Sequence, residues 1–171
     1  MDKPLSNSSS YSVYFLNESC EVRDFFSTGQ KSLHAAKAFS AGDVISSFGA
    51  SFVSTKPSYL TVQVGHRKHI ALLPQFLQYA NHSCCPNCFF DTTAMQFVAI
   101  RDIRPGDELT FFYPSSEWDM AQPFECNCKQ PNCLGLISGA AFIPEEVLKN
   151  YRLTDFIAAK LKSRLKKEKR A

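Results

Sequence analysis

The chain has 171 residues, 44% apolar and 13% aromatic, which suffices for one domain with a sizeable core and is short for two. No apolar run reaches the roughly 18 residues that a membrane-spanning helix needs, and the net charge of +3 is too small to define a partner by itself. That charge hides an asymmetry: residues 160–171 carry seven Lys or Arg and one Glu, while the rest carries twelve basic and fifteen acidic residues.

In chain order, residues 1–10 (MDKPLSNSSS) read as a loosely held start without the basic-then-apolar pattern of a secretory signal. A reducing, intracellular setting is therefore expected, nuclear or cytoplasmic, in which seven cysteines point to metal or chemistry before disulfides. From 12 to 64 run short β-type segments: VYFL, CEVRDFF, SLHAAKAF, DVISSF, SFVS and YLTVQV, separated by the punctuation TGQK, SAGD, TKPS and VGHRK. QFLQY after Pro74 reads as a short helix, and CFFD and MQFVAIRDI as strands. Arg104-Pro105-Gly106-Asp107 is a turn in which Gly can take a positive φ, and ELTFFY follows as another strand. Residues 114–139 are irregular. Beyond them, Pro144 suits a first helical position with Glu145 and Glu146 in the first turn. Thr154 suits the cap of a second helix, whose apolar face carries Ile157, Leu161 and Leu165. The expected fold is mostly β. Its expected divisions are a start (1–10), a main domain (11–113), a cysteine-bearing segment (114–139) and a helical extension with a basic tail (140–171).

Cys126, Cys128 and Cys133 form a C-x-C-x4-C spacing. Three thiolates this close can reach one tetrahedral Zn²⁺ at roughly 2.3 Å each, and a structural zinc needs a fourth ligand. Candidates stand in the stretch YANHSCCPNC (79–88), namely Cys84, Cys85 and Cys88, while Cys20 stands alone. The competing reading is that these are small buried hydrophobes. The segment 114–139 has little periodic apolar pattern, so something other than a core must order it, which favours the metal.

Three pieces stand in one order: NHSCCPN at 81–87, GDELTFFY at 106–113 and C-x-C-x4-C at 126–133. This combination resembles the SET-domain protein lysine methyltransferases, whose motifs run Asn-His-Ser-Cys-x-Pro-Asn, Gly-Glu-Glu-Leu-Thr-Phe-Asp-Tyr and a post-SET C-x-C-x4-C. KSLHAAKAFSAGDVISSFG (31–49) is similar to the family's opening segment, and the likeness covers roughly residues 20–138. The resemblance implies short antiparallel sheets, with the NHS segment threaded as a pseudoknot beneath a later loop. It also implies S-adenosylmethionine in one pocket and a substrate lysine in a narrow channel from the opposite face.

Carried over by position, the resemblance implies that Asn81 and His82 grip the cofactor, and that Cys84 completes a zinc site with Cys126, Cys128 and Cys133. It gives Tyr113 the catalytic role and Phe111 the setting of how many methyls fit. Phe48 falls near a channel aromatic. Lys31 and Leu33 fall where backbone groups meet the cofactor's amino-acid end, and Phe124 and Tyr59 where a ring packs on adenine. Cys85 and Cys88 become bystanders. The chain departs from the pattern at three places: Gln30-Lys31-Ser32 stands for Gly-x-Gly, Phe112 for an Asp, and Gln78 for an Arg.

The chemistry suits these residue types. A lysine amine with a pKa near ~10.4 must lose its proton before it attacks, at a cost of roughly 4 kcal/mol near pH 7.5. An aromatic, water-poor channel of Phe48, Phe90, Phe111 and Tyr113 beside a sulfonium lowers that cost. The rest is alignment and the orienting Tyr113 hydroxyl. Ser83 has no base partner, which argues against a serine hydrolase. His34, His66 and His69 have no ligand-like spacing and read as surface or strand residues. The basic tail 160–171 suits nucleic acid, a nucleosome or a nuclear address, against the plainer reading of a solvated helix end. Two alternatives compete with the enzyme: a non-catalytic SET-like module binding protein or nucleic acid, and a zinc-stapled nucleic-acid binder. In the enzyme reading the partner is a protein, histone or non-histone, with its target lysine.

Overall fold

The computed structural model describes residues 10–168; the start (1–9) and the last three tail residues lie outside the described set. Thirteen short strands dominate the described residues. β1 (Tyr11–Leu16), β2 (Cys20–Phe25) and β3 (Lys31–Ala35) form one antiparallel sheet. β2 alternates inward at Cys20 and Val22, and Val22 opposes Leu33 of β3. β4 (Val44–Ser47) lies beside β10 (Gln96–Ala99), which lies beside β9 (Cys88–Asp91). Phe90 and Phe97 oppose each other there with ring centroids 4.4 Å apart. β5 (Gly49–Ser54), β7 (Lys68–Leu73) and β6 (Thr61–Gly65) form a third sheet with β7 in the middle. β7 has no counterpart among the predicted strands. QFLQY is a 3-10 turn rather than an α-helix.

The one parallel pair among the described residues joins segments far apart in sequence. β8 (Asn81–His82) runs beside β11 (Thr110–Phe111), with Asn81 opposite Thr110 and His82 opposite Phe111. Asn87 locks the threaded segment: its Nδ2 donates to the Glu108 carbonyl at 2.8 Å, and its Oδ1 accepts the Thr110 N–H at 2.8 Å. At Arg104–Asp107 Gly106 takes φ 87°, and the Asp107 N–H closes the turn on the Arg104 carbonyl at 3.1 Å. β12 (Phe124–Glu125) and β13 (Leu136–Ile137) pair antiparallel across the cysteine-bearing segment.

Two apolar clusters hold the described residues together. The larger joins the sheets around Val22, Leu33, Ile70, Phe90, Phe97 and Leu109. The smaller gathers Phe112, Ala140, Ile143, Leu148, Ile157 and Leu161, and so ties the C-terminal helices to the end of β11. The first helix, α1 (Glu145–Leu148), is a single turn that Pro144 precedes rather than begins. α2 (Asp155–Glu168) starts as expected: the Ile157 N–H donates to Thr154 Oγ1 at 3.4 Å. Phe112, where the family has Asp, is 2% exposed and stacks on Tyr151 at 3.7 Å and 8°. An acid there would lose this stacking and would be buried in an apolar cluster, which suits the replacement.

Candidate active site

A cavity of about 1000 Å³ opens between the β5–β7–β6 sheet, the 3-10 turn at 75–79, β8 and the loop before β12. Its inner wall is aromatic and apolar, with Phe90, Phe111, Tyr113, Val62 and Leu72; its outer wall carries Lys31, Tyr59, Gln78, Asn81 and Phe124. Such a cavity, with apolar walls and a few converging polar groups, can hold a small molecule and a second reactant together.

Tyr113 follows β11 directly, so the parallel pairing with β8 fixes its position. Its hydroxyl donates to the Ala80 carbonyl at 3.3 Å. Its ring stands 4.6 Å from Phe111, and Phe111 meets Phe90 edge-on at 4.7 Å. Burial, with Glu108 and Glu117 adding negative charge, pushes the Tyr113 pKa up to about 12, so the hydroxyl keeps its proton at neutral pH. Asn81 Nδ2 donates to the Glu108 carboxylate at 2.9 Å and reaches the Lys31 carbonyl at 3.4 Å, which brings Asn81 and Lys31 to one wall. Lys31 Nζ pairs with Asp24 at 2.9 Å and lies 4.8 Å from the Tyr14 ring centroid.

Other predicted residues fall elsewhere. Leu33 is fully buried in the core, its carbonyl taken by the Leu109 N–H at 2.7 Å, so it does not reach the cavity. Phe48 stands behind Phe90, edge-on at 5.3 Å, and lines no part of the cavity. Tyr59 is 77% exposed on the rim. The His82 ring does not line the cavity; it packs edge-on against Tyr113 and Phe124 at 5.3 and 5.6 Å. His34 and His69 lie in strands as expected but are buried rather than at the surface. Ser32 Oγ lies 2.8 Å from His34 Nε2, and His34 Nδ1 lies 3.0 Å from the Gly106 carbonyl, a pairing that suits a neutral ring.

Cys84, Cys126, Cys128 and Cys133 converge. Their sulfurs lie within 4.8 Å of one another, and those of Cys84 and Cys126 within 3.9 Å. Four thiolates at roughly 2.3 Å around a tetrahedral ion stand roughly 3.8 Å apart, so this donor set fits one zinc. Asn132 Nδ2 and the Tyr151 hydroxyl both donate to the Cys84 carbonyl, at 2.6 and 2.9 Å, and the Leu134 N–H approaches the Cys84 sulfur at 3.4 Å. Without a cation, burial pushes the Cys84 and Cys126 thiols up, whereas at Cys128 burial is outweighed by hydrogen bonds from its neighbours, which bring it down to about 7, so the bound ion itself would have to draw off most of the protons. Cys20 and Cys88 are buried core residues, and Cys85 meets Arg101 at the surface: Arg101 Nη2 donates to its carbonyl at 2.7 Å.

Two polar groups of the site escaped the sequence reading. Glu117 and Gln63 meet across 54 positions: the Gln63 N–H donates to Glu117 Oε1 at 2.7 Å. The available signal was that Glu117 is the only charged residue between Leu109 and Trp118. In the basic tail, Lys160 Nζ stands 4.6 Å from the Trp118 ring centroid, and Arg164 Nη1 donates to the Ala141 carbonyl at 2.9 Å. These two charges pack on the protein itself. No helix of the described residues is long and apolar enough to cross a membrane.

The threaded β8–β11 pairing, the short antiparallel sheets and an aromatic cavity ending at the half-buried Tyr113 frame the site, and the comparisons give its family. The SET domain family model matches residues 26–114, and the chain belongs to that family. It is similar to Methyltransferase flvH of Aspergillus flavus, 44% identical over 123 residues that cover 70% of this chain and 68% of that one. It is also similar to the H3 lysine-36 specific histone-lysine N-methyltransferase of Aspergillus oryzae, 41% identical over 68 residues. The enzyme of the same name from Saccharomyces cerevisiae is 29% identical over 101 residues. The matched stretches span 36% and 52% of this chain but only 7% and 14% of those two proteins. The chain is thus a methyltransferase by family, and SET methyltransferases draw the methyl from S-adenosylmethionine.

Proposed function

We propose that the protein methylates the side-chain amine of lysine in a protein substrate, and that Cys84, Cys126, Cys128 and Cys133 hold one structural Zn²⁺. The observation that carries the first part is the aromatic inner wall of Phe90, Phe111 and Tyr113, which suits an extended aliphatic side chain ending in an amine. The relatives named as histone-lysine methyltransferases support a lysine substrate, histone or non-histone. S-adenosylmethionine supplies an electrophilic methyl on a sulfonium. We assign its binding to Asn81, Lys31, Tyr59 and Phe124, which line the cavity, with the His82 ring packed on Tyr113 and Phe124. The buried wall disfavours the charged ammonium and so eases its deprotonation. The Tyr113 hydroxyl orients the reacting groups, and Phe111 sets the room beside the nitrogen.

The test is incubation of the full chain with labelled S-adenosylmethionine and core histones, then with a cell extract, followed by mapping of the modified residues. Label on lysine Nζ is the expected result. Label on other side chains alone, with none on lysine, would contradict the lysine assignment.

A further inference from the structure

The proposed mechanism leaves one group on the cavity wall unused. Glu117 is 8% exposed and lines the same cavity as Tyr113, Phe111 and Phe90. Burying a carboxylate is costly unless a cation meets it. None of the ion pairs among the described residues involves Glu117.

The carboxylate is nevertheless held firmly. Oε1 accepts the Gln63 N–H at 2.7 Å and lies 3.5 Å from the Ser116 hydroxyl. The Glu117 N–H donates to the Tyr113 carbonyl at 3.0 Å, and its own carbonyl accepts the Ala140 N–H at 2.9 Å. Gln63 is fixed in turn: its Oε1 accepts the Trp118 N–H at 3.0 Å, and its Nε2 donates to the Gly65 carbonyl at 3.1 Å. These bonds clamp β6 to the turn after Tyr113. The second oxygen, Oε2, takes no donor from any described residue and is not sealed off. An acid oriented through one oxygen, open at the other and set in an aromatic wall is a receiver for a cation.

We propose that Glu117 receives the ammonium group of the incoming substrate on Oε2 and takes one proton from it. This rests on the lysine reading above. In the step the N–H bond breaks, an O–H bond forms on Oε2, and the electron pair stays on nitrogen, which becomes neutral and nucleophilic. The proton then leaves through the cavity mouth to water, so no further reactant is needed. Burial raises the Glu117 pKa to about 7, closer to an amine than an ordinary carboxylate, which makes the transfer less uphill. Tyr113, on the same wall, keeps its proton up to about 12. Glu108, whose carboxylate accepts from Asn81, adds negative charge near Tyr113. His69, opposite Gln63 in the sheet, is pushed below its ordinary value by burial and stays neutral in the upper part of the neutral range.

The test uses n-butylamine as the probe, with the full chain saturated by S-adenosylhomocysteine. Its affinity is measured by calorimetry from about pH 6 to about pH 8 in the parent, E117Q and E117D, a span that brackets the Glu117 titration. The parent should bind more tightly as pH rises. E117Q should bind at least about tenfold more weakly at the upper end, with a flattened profile. E117D, which keeps the charge, should recover part of the affinity. Unchanged S-adenosylhomocysteine affinity shows that a variant is folded; if E117Q fails that check, the parent's profile and E117D decide. Equal butylamine affinity in parent and E117Q, a flat parent profile, or no butylamine binding by the parent would overturn the proposal. Failure of the lysine reading shows separately: butylamine would bind through Glu117 while no protein lysine becomes labelled.

Discussion

The Tyr113 backbone N–H donates to Nδ1 of His82 at 3.2 Å. The other ring nitrogen, Nε2, lies 3.3 Å from the Cys84 sulfur. With Nδ1 as acceptor, the neutral ring carries its proton on Nε2 and donates it toward that sulfur. Burial lowers the His82 pKa to about 4, which keeps the ring neutral. One imidazole therefore joins the cysteine cluster to the residue at the inner end of the cavity.

This link predicts that metal and methyl donor are coupled. Native mass spectrometry should find one zinc per chain, and Cys128→Ser should lower that occupancy. Stripping the metal with a chelator should weaken S-adenosylmethionine binding by about tenfold, the scale expected when ligand and neighbour share a hydrogen bond. Unchanged donor affinity in the stripped, still folded protein would break the link.

Phe111 is in contact with both Tyr113 and Phe90, so a hydroxyl added to its ring would enter the space beside the nitrogen. The parent should carry a substrate to the di- or trimethyl state, and Phe111→Tyr should stop at one methyl. Mass spectra of the modified peptides decide this, and identical product states in the two proteins would remove Phe111 from that role.

Tyr113→Phe removes a hydroxyl held on the Ala80 carbonyl and leaves the ring contacts in place. Methyl transfer should fall by about a hundredfold, the usual scale for loss of an orienting donor. Binding of S-adenosylmethionine should change by less than about threefold, since the ring still fills its place. Equal losses in rate and binding would mean that the hydroxyl serves only the fold.

Glu117 carries a stability signature. Its folded pKa of about 7 stands above the ordinary 4.5, because burial penalises the charged form. A raised carboxyl favours folding while protonated. That contribution is full below about pH 4.5 and is lost as pH rises through about 7. The loss is on the order of 3 kcal/mol once the group is ionised. Glu117→Gln should therefore unfold at higher urea than the parent at pH 8, with the difference shrinking toward pH 5. A gap independent of pH would contradict this.

How far the sequence could be read depended on the range of each interaction. Local alternation exposed β2, and the C-x-C-x4-C spacing gathered three of four clustered thiols. VGHRK marks the turn before β7, but β7 itself is buried at His69, Ile70 and Leu72 without regular alternation, so no period-2 pattern announces it. The Leu33 carbonyl is taken by Leu109, 76 positions later, a pairing no local pattern announces. The place of Glu117 depends on Gln63 of β6, 54 positions earlier, beyond the reach of any local pattern. Phe112 read as a defect in a motif, and only the second apolar cluster shows why a phenylalanine belongs there.

The central claim is that this cavity is a methyl-donor site. Calorimetric titration of the folded, zinc-loaded chain with S-adenosylmethionine tests it most directly. The account predicts saturable binding of one molecule per chain, weakened by about tenfold in Asn81→Ala, which removes the side chain that joins Lys31 and Glu108 on the cavity wall. No binding at millimolar donor would contradict it.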